Sequence, residues 1–175
     1  MVGETMAITG LKQTSSVVAI GFQTTETAAN TFTQAQTDLN LSPLDREVFV
    51  VLAINLDPQT PDPVSGTNTT VGCSLTTTSQ TALQNLSNSN CLASAVNAIK
   101  SAAPGESVSF QTLGLETPPA TLEFIGIIAT NDFFVQVLGV NNTSAKFVSG
   151  KLYGYRARAD ASIFAALVQS EVLSA

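Results

Sequence analysis

Residues 45–56 read DREVFVVLAINL, and this stretch decides the fold. It is rich in β-branched and aromatic residues, bounded by charge on one side and by Asp57-Pro58 on the other, which is the pattern of a strand. Under strict alternation Val48, Val50, Leu52 and Ile54 face one way, and Phe49, Val51 and Ala53 the other. Both faces are apolar, so the strand must lie between two layers rather than on one.

Outward from it the chain keeps the same texture. Strand patterns are predicted over residues 14–24, 30–39, 73–78, 106–115, 121–130, 133–140 and 145–158, with turn residues punctuating at short intervals. Residues 57–72, DPQTPDPVSGTNTTVG, form a long loop whose Pro and Gly preclude regular structure and which is long enough to serve as a contact element. Residues 127–142, IIATNDFFVQVLGVNN, parse as two strands joined by a hairpin at Thr130-Asn131-Asp132, because Asn and Asp tolerate the left-handed backbone of tight turns. The alternative there is a bulge within one long strand. Gly150 and Gly154 mark curvature or bulges in the last strand.

Two segments break the period. Leu92, Val96 and Ile99 are spaced as on a helix, so a short helical insertion is expected within residues 79–102, interrupted at Ser87-Asn88-Ser89-Asn90. Residues 161–173 read as a C-terminal helix, capped by Asp160 or Ser162. It carries an apolar stripe of Ile163, Phe164, Leu167, Val168 and Val172 that must dock on its own sheet or on a neighbour. The 175 residues fit one domain, and the expected class is all-β: an antiparallel β-sandwich or single jelly roll.

Composition narrows function. Only 11% of residues are charged, against about 25% in an average domain, and Thr, Ser, Asn and Gln fill the polar quota. A surface so poor in charge guards weakly against association, which suits a chain that lives in an assembly. The net charge is −6, and direct nucleic-acid binding is not expected from such a balance. Four of the seven basic residues, Lys146, Lys151, Arg156 and Arg158, fall close together. They read either as an anion or partner contact or as the solvated face of a strand. No signal peptide and no membrane-spanning run is read from the sequence.

Histidine is absent, which removes His-based triads, Cys-His pairs and His zinc sites. No phosphate-cradling glycine motif is present. The close carboxylate pairs are Asp45/Glu47, which reads as a solvated strand end, and Asp57/Asp62, whose loop could offer oxygens to a hard cation. The expectation is a protein that is not an enzyme and has no cofactor. Cys73 and Cys91 have seventeen residues between them. They could form a disulfide worth up to about 3 kcal/mol, or be two small buried thiols. Four sequons, at Asn68, Asn85, Asn141 and Asn142, are no more than a Thr/Asn-rich chain offers by chance, and glycosylation is not expected.

The buried strand EVFVVLAINL, the Pro-rich loop after it, the strands around IIATNDFFVQVLGV, and GKLYGYRARAD leading into a helix together resemble small viral coat proteins with a single jelly roll. The resemblance spans most of the chain, lies in architecture and texture, and assigns no functional residue. It implies a self-assembling coat subunit or a cement protein, located in the virion, with copies of itself and other virion proteins as partners. Assembly contacts would then lie on the loop (Pro58, Pro61, Pro63) and the helix (Ile163, Phe164, Leu167, Val168). The chain departs from coat proteins with a basic N-terminal arm, since its N-terminus carries only Glu4 and Lys12. The alternative is a carbohydrate- or surface-binding β-sandwich, such as an adhesin or tail-fibre module, located outside the cell or at its surface. Two Tyr and no Trp offer such a module little stacking surface.

Overall fold

The computed structural model describes residues 10–112, 114–117 and 122–174. The chain forms eleven described strands in two antiparallel sheets and one terminal helix. The strands are β1 (Leu11–Gln13), β2 (Val18–Thr25), β3 (Thr33–Asp38), β4 (Glu47–Pro58), β5 (Thr69–Thr76), β6 (Cys91–Ala103), β7 (Glu106–Thr112), β8 (Gly114–Glu116), β9 (Gly126–Ile128), β10 (Asp132–Val140) and β11 (Phe147–Ala159); the helix is α1 (Ala161–Leu173).

One sheet runs β1-β11-β4-β8, with β2 also on β11 and β9 also on β4; the other runs β3-β10-β5-β6-β7. Short strands laid end to end act as one. β1 and β2 cover the two halves of β11, and β8 and β9 cover two stretches of β4. The chain crosses between sheets at β2–β3, β3–β4, β4–β5, β7–β8, β9–β10 and β10–β11. This is the repeated crossing of a jelly roll, with two Greek keys folded face to face.

β4 is buried between layers, as its sequence requires. Phe49, Val51, Ile54 and Leu56 enter the main core with Val71, Leu75, Phe133, Val135, Val137, Val148 and Leu152. Phe22 and Phe133 meet edge to face there, with ring centroids 5.7 Å apart. Val48 and Val50 point the other way, into a second cluster with Ala157 and Ala159 beneath Ile163, Phe164, Leu167 and Val168 of α1. Strict alternation would have put Ile54 with Val48. It does not, because Tyr153 pairs with Ala53 and Gly154 with Val51, leaving Leu52 as a bulge that reverses the parity. Gly154 makes the bulge possible: a Cβ there would sit 2.2 Å from the Val50 carbonyl and 2.5 Å from the Phe49 ring.

The structure corrects three expectations. No helix forms within residues 79–102. Residues 79–90 run through turns, in which Asn85 and Asn88 each accept a backbone N–H two residues on, and β6 follows as a continuous strand. The helical spacing of Leu92, Val96 and Ile99 is incidental, because a register shift falls at Leu92, and Ala93 and Ala95 fill the core as strand residues. Tertiary packing here overrides the helix preference of alanine.

The second correction is at residues 130–132, which form no hairpin. β9 pairs with β4 and β10 with β3 and β5, so this segment carries the chain from one sheet to the other. Neither Asn131 nor Asp132 has a positive φ. The third is the strand expected at 106–115, which divides into β7 and β8 on different sheets. The loop expected at 57–72 shortens to 59–68, since Pro58 still pairs with Val148. Of the strand expected at 121–130, only β9 forms among the described residues, beginning at Gly126; residue 121 itself lies outside those described.

Candidate functional site

Three loops meet at one end of the sandwich: residues 26–32 after β2, 59–68 after β4, and 141–146 after β10. Each carries amides or carboxylates, and these are spent on one another. Asp62 Oδ2 accepts from the backbone N–H and hydroxyl of Thr143 (3.0 and 2.9 Å) and of Ser144 (3.0 and 2.9 Å). Its Oδ1 pairs with Lys146 Nζ. The Lys146 ammonium first, then the donors of Thr143 and Ser144, hold the Asp62 carboxyl well below the usual carboxylate range against an opposing effect of desolvation. Asn142 joins all three loops: Oδ1 accepts from Asp62 N (2.9 Å), Nδ2 donates to Thr70 O (2.8 Å), and its backbone exchanges hydrogen bonds with the Asn30 amide. Buried Glu26 accepts from Gly139 N (2.6 Å), Lys146 N (2.8 Å) and Thr31 N (3.1 Å).

This cluster reads as a structural tie. Asp57 is exposed on β4 while the Asp62 carboxylate is consumed by five donors, so the pair forms no cation cage. Among the described residues no group of three carboxylates or thiols is placed to hold a metal. Asn142 is buried with its amide engaged, so it offers no sequon at the surface; Asn68, Asn85 and Asn141 are exposed.

The four basic residues do not converge. Lys146 is 2% exposed and paired. Arg156 donates to Leu39 O (2.8 Å), Arg158 lies 3.7 Å from Asp45 in solvent, and Lys151 projects from β11 into water. From Lys146 to Arg158 the strand covers roughly 40 Å, too far for one anion.

The residues expected as assembly contacts differ in their surroundings within the chain. Pro58 and Pro61 are buried and Pro63 is exposed. Ile163, Phe164, Leu167 and Val168 pack on their own sheet. Burying these four in part stabilises the fold by on the order of 4 kcal/mol. Asp160 caps the helix by accepting from Ile163 N.

A residue the sequence reading passed over completes the docking. Glu171, 6% exposed, accepts from Ala129 N (2.7 Å), Thr130 N (3.1 Å) and Thr130 Oγ1 (2.7 Å), while Asn90 Nδ2 donates to its backbone carbonyl (3.2 Å). The last turn of α1 thus grips the crossover between the sheets. A signal was present: Glu171 continues the stripe Phe164, Leu167, Val168 at helical spacing, and a lone carboxylate on an apolar face needs buried donors.

The cysteines lie on adjacent strands without a disulfide. Cys91 pairs in register with Thr76, three residues along β5 from Cys73, which separates the two by roughly 10 Å or more, well beyond bridging distance. Both are buried. Cys73 Sγ donates to Ala95 O, and burial pushes its thiol up to about 12, away from nucleophilic use.

What remains open is β7. All seven of its residues are exposed, including Val108 and Phe110, 59% and 58% exposed on one face. Among the described residues only β6 pairs with it, and no described strand covers its outer edge.

No protein-family model matches the chain, and no curated protein matches it. Among solved structures, one from Desmodium yellow mottle tymovirus is similar over 84% of this chain and 91% of that one, with 14% sequence identity and a TM-score of 0.28. No described helix is long and apolar enough to cross a membrane.

Proposed function

We propose that the chain is a structural, non-catalytic subunit of a virion, a self-assembling coat protein or a cement protein on a capsid, whose partners are copies of itself and other virion proteins. The observation that carries the reading is β7. Strand edges in soluble proteins are usually guarded by charge, proline or a covering element. From Ser107 to Thr112 this edge has no charge and no proline, and both its faces are in solvent. Such a strand is suited to receive a neighbour.

Two further observations support the reading. The jelly-roll connectivity is shared by viral capsid domains, lectin domains and cupins, and a fold alone does not choose among them. The charge-poor composition favours a surface meant for association. The polar clusters of the described residues, at Asp62, Glu26 and Glu171, are saturated by internal hydrogen bonds, which suits a scaffold.

Size-exclusion chromatography with mass detection, followed by negative-stain imaging, tests the proposal. Closed particles or symmetric rings are the expected result. A clean monomer at micromolar concentration, with no binding to purified capsids, overturns it.

A further inference from the structure

β7 reads ESVSFQT, and its pairing with β6 sets its faces. Lys100 stands opposite Val108, Ala98 opposite Phe110 and Val96 opposite Thr112. Val96, Val108 and Phe110 therefore share one face, and all three are exposed. Ser107, Ser109 and Gln111 stand on the other. Against the apolar face lies a hollow of about 450 Å³, lined among others by Lys100, Glu106, Val108 and Phe110. An added strand must set apolar against apolar, because residues opposite one another in a sheet share a face. The other edge of the same sheet, β3, reads TQAQTD and brings no large apolar side chain. A second β7 does.

The strand is self-complementary. Two copies laid antiparallel about a two-fold axis through Ser109 set Val108 opposite the partner's Phe110, and Phe110 opposite the partner's Val108. Ser107 then faces the partner's Gln111 and Glu106 the partner's Thr112. All seven residues pair, and the two carboxylates lie at opposite ends, roughly 20 Å apart. Moving the axis to Val108 sets Glu106 against the partner's Phe110 and leaves Gln111 and Thr112 unpaired. Moving it to Phe110 leaves Glu106 and Ser107 unpaired and sets Val108 against the partner's Thr112. A one-residue slip turns each apolar face against a polar one. We infer that the occupant of the β7 edge is the β7 of a second copy, antiparallel and in register about Ser109, with each Phe110 ring seated in the hollow beside the other copy's Val108. The inference rests on the reading of β7 as an assembly edge and names its partner. The contact buries on the order of 800 Å² in total, below the roughly 1,200 Å² of a standard stable interface. It is therefore weak in an isolated pair and fills at high concentration, or in an assembly whose other contacts hold the copies together.

Cysteine cross-linking of the full chain tests it. Cys73 and Cys91 are both buried, so a cysteine added on exposed β7 is a surface probe with little effect on folding. Opposite residues of an antiparallel pair have Cα atoms about 4.5–5.5 Å apart, within reach of a disulfide. Under mild oxidation at about 200 µM chain, Ser109→Cys is expected to give a disulfide-linked dimer at least about tenfold faster than Ser107→Cys, whose two copies lie roughly 14 Å apart. Mixing Ser107→Cys with Gln111→Cys should restore the fast cross-link between unlike chains. Adding Phe110→Ser to Ser109→Cys should slow the cross-link about tenfold. Equal rates for Ser109→Cys and Ser107→Cys, or no cross-link from Ser109→Cys either free or in particles, overturn the inference. Imaging the same samples keeps the two readings apart. Particles without a Ser109→Cys cross-link refute the pairing and leave the coat reading standing. A cross-linked dimer that forms no particles and binds no capsid supports the pairing and counts against the coat reading.

Discussion

β4 and β7 are both strands of one molecule, yet one runs deep through its middle and the other lies open to solvent. From Val48 to Val51 every residue of β4 is buried, two under the main core and two under α1. Every residue of β7 is exposed. The contrast lies in composition and in coverage. EVFVVLAIN has two apolar faces and has been given two covering layers, whereas ESVSFQT has one polar face and one bearing Val108 and Phe110, and has been given none. One strand holds the fold together; the other lies in solvent.

The largest expected effect comes from hollowing the first. Phe49→Ala should cost about 4 kcal/mol and show as a collapse of the denaturant midpoint with unchanged slope. An effect under about 1 kcal/mol would mean that β4 is not the keel of the core. Next is the cover on its other face. Glu171→Gln keeps the shape of the side chain, yet an amide offers one acceptor oxygen where a carboxylate offers two, for three donors. It should cost about 2 kcal/mol and raise hydrogen exchange at Ala129 and Thr130 before other amides; equal exchange in both proteins would show that the helix is held by its apolar stripe alone.

The loop-end tie gives a pH-dependent effect. The Asp62 carboxyl is held below its ordinary range in the folded chain, so its contribution is fully present above the unfolded value near 4 and is lost as pH falls below it. Wild-type Tm should therefore drop more steeply from pH 5 to pH 2.5 than that of Asp62→Asn, which should be the less stable protein at pH 7 because Lys146 keeps a buried charge without its partner. Parallel Tm profiles would contradict this. The smallest effect on stability belongs to β7. Phe110→Ser should leave Tm within what about 0.5 kcal/mol produces, yet reduce particle yield by tenfold or more in the imaging assay. Normal particles from this variant would move the assembly surface elsewhere.

The fold class was legible in the sequence because β4 and β11 carry long, turn-bounded β patterns that no other element could satisfy. Local rules failed where partners are distant in sequence. Leu92, Val96 and Ile99 mimic a helix, and only the pairing of β6 with β5 and β7 reveals that they do not form one. Asn131 looks like a turn residue, but its amide accepts from Leu41 N and donates to Asp38, ninety or more residues away. The Leu52 bulge depends on Gly154, a hundred positions on, and its parity flip cannot be seen from either strand alone.

The candidate site was less legible. The Asp62 tie and the Glu171 grip join loops through hydrogen bonds of high sequence separation, and the exposure of β7 is a property of what fails to cover it. Lys146 was grouped with its basic neighbours by proximity in the chain, whereas its charge answers Asp62 across 84 positions.

The placement of β11 has a consequence for synthesis. β11 is the strand between β4 and both β1 and β2, and Glu171 follows it. A nascent chain that has made β1 through β10 holds β4 with neither neighbour nor cover on one side, and that strand waits half-bare until residues 147–171 emerge. Chains dominated by such distant pairings fold slowly and are most exposed to mispairing while incomplete. The order of translation thus leaves β4, covered on both faces in the finished chain, as a vulnerable segment on the ribosome.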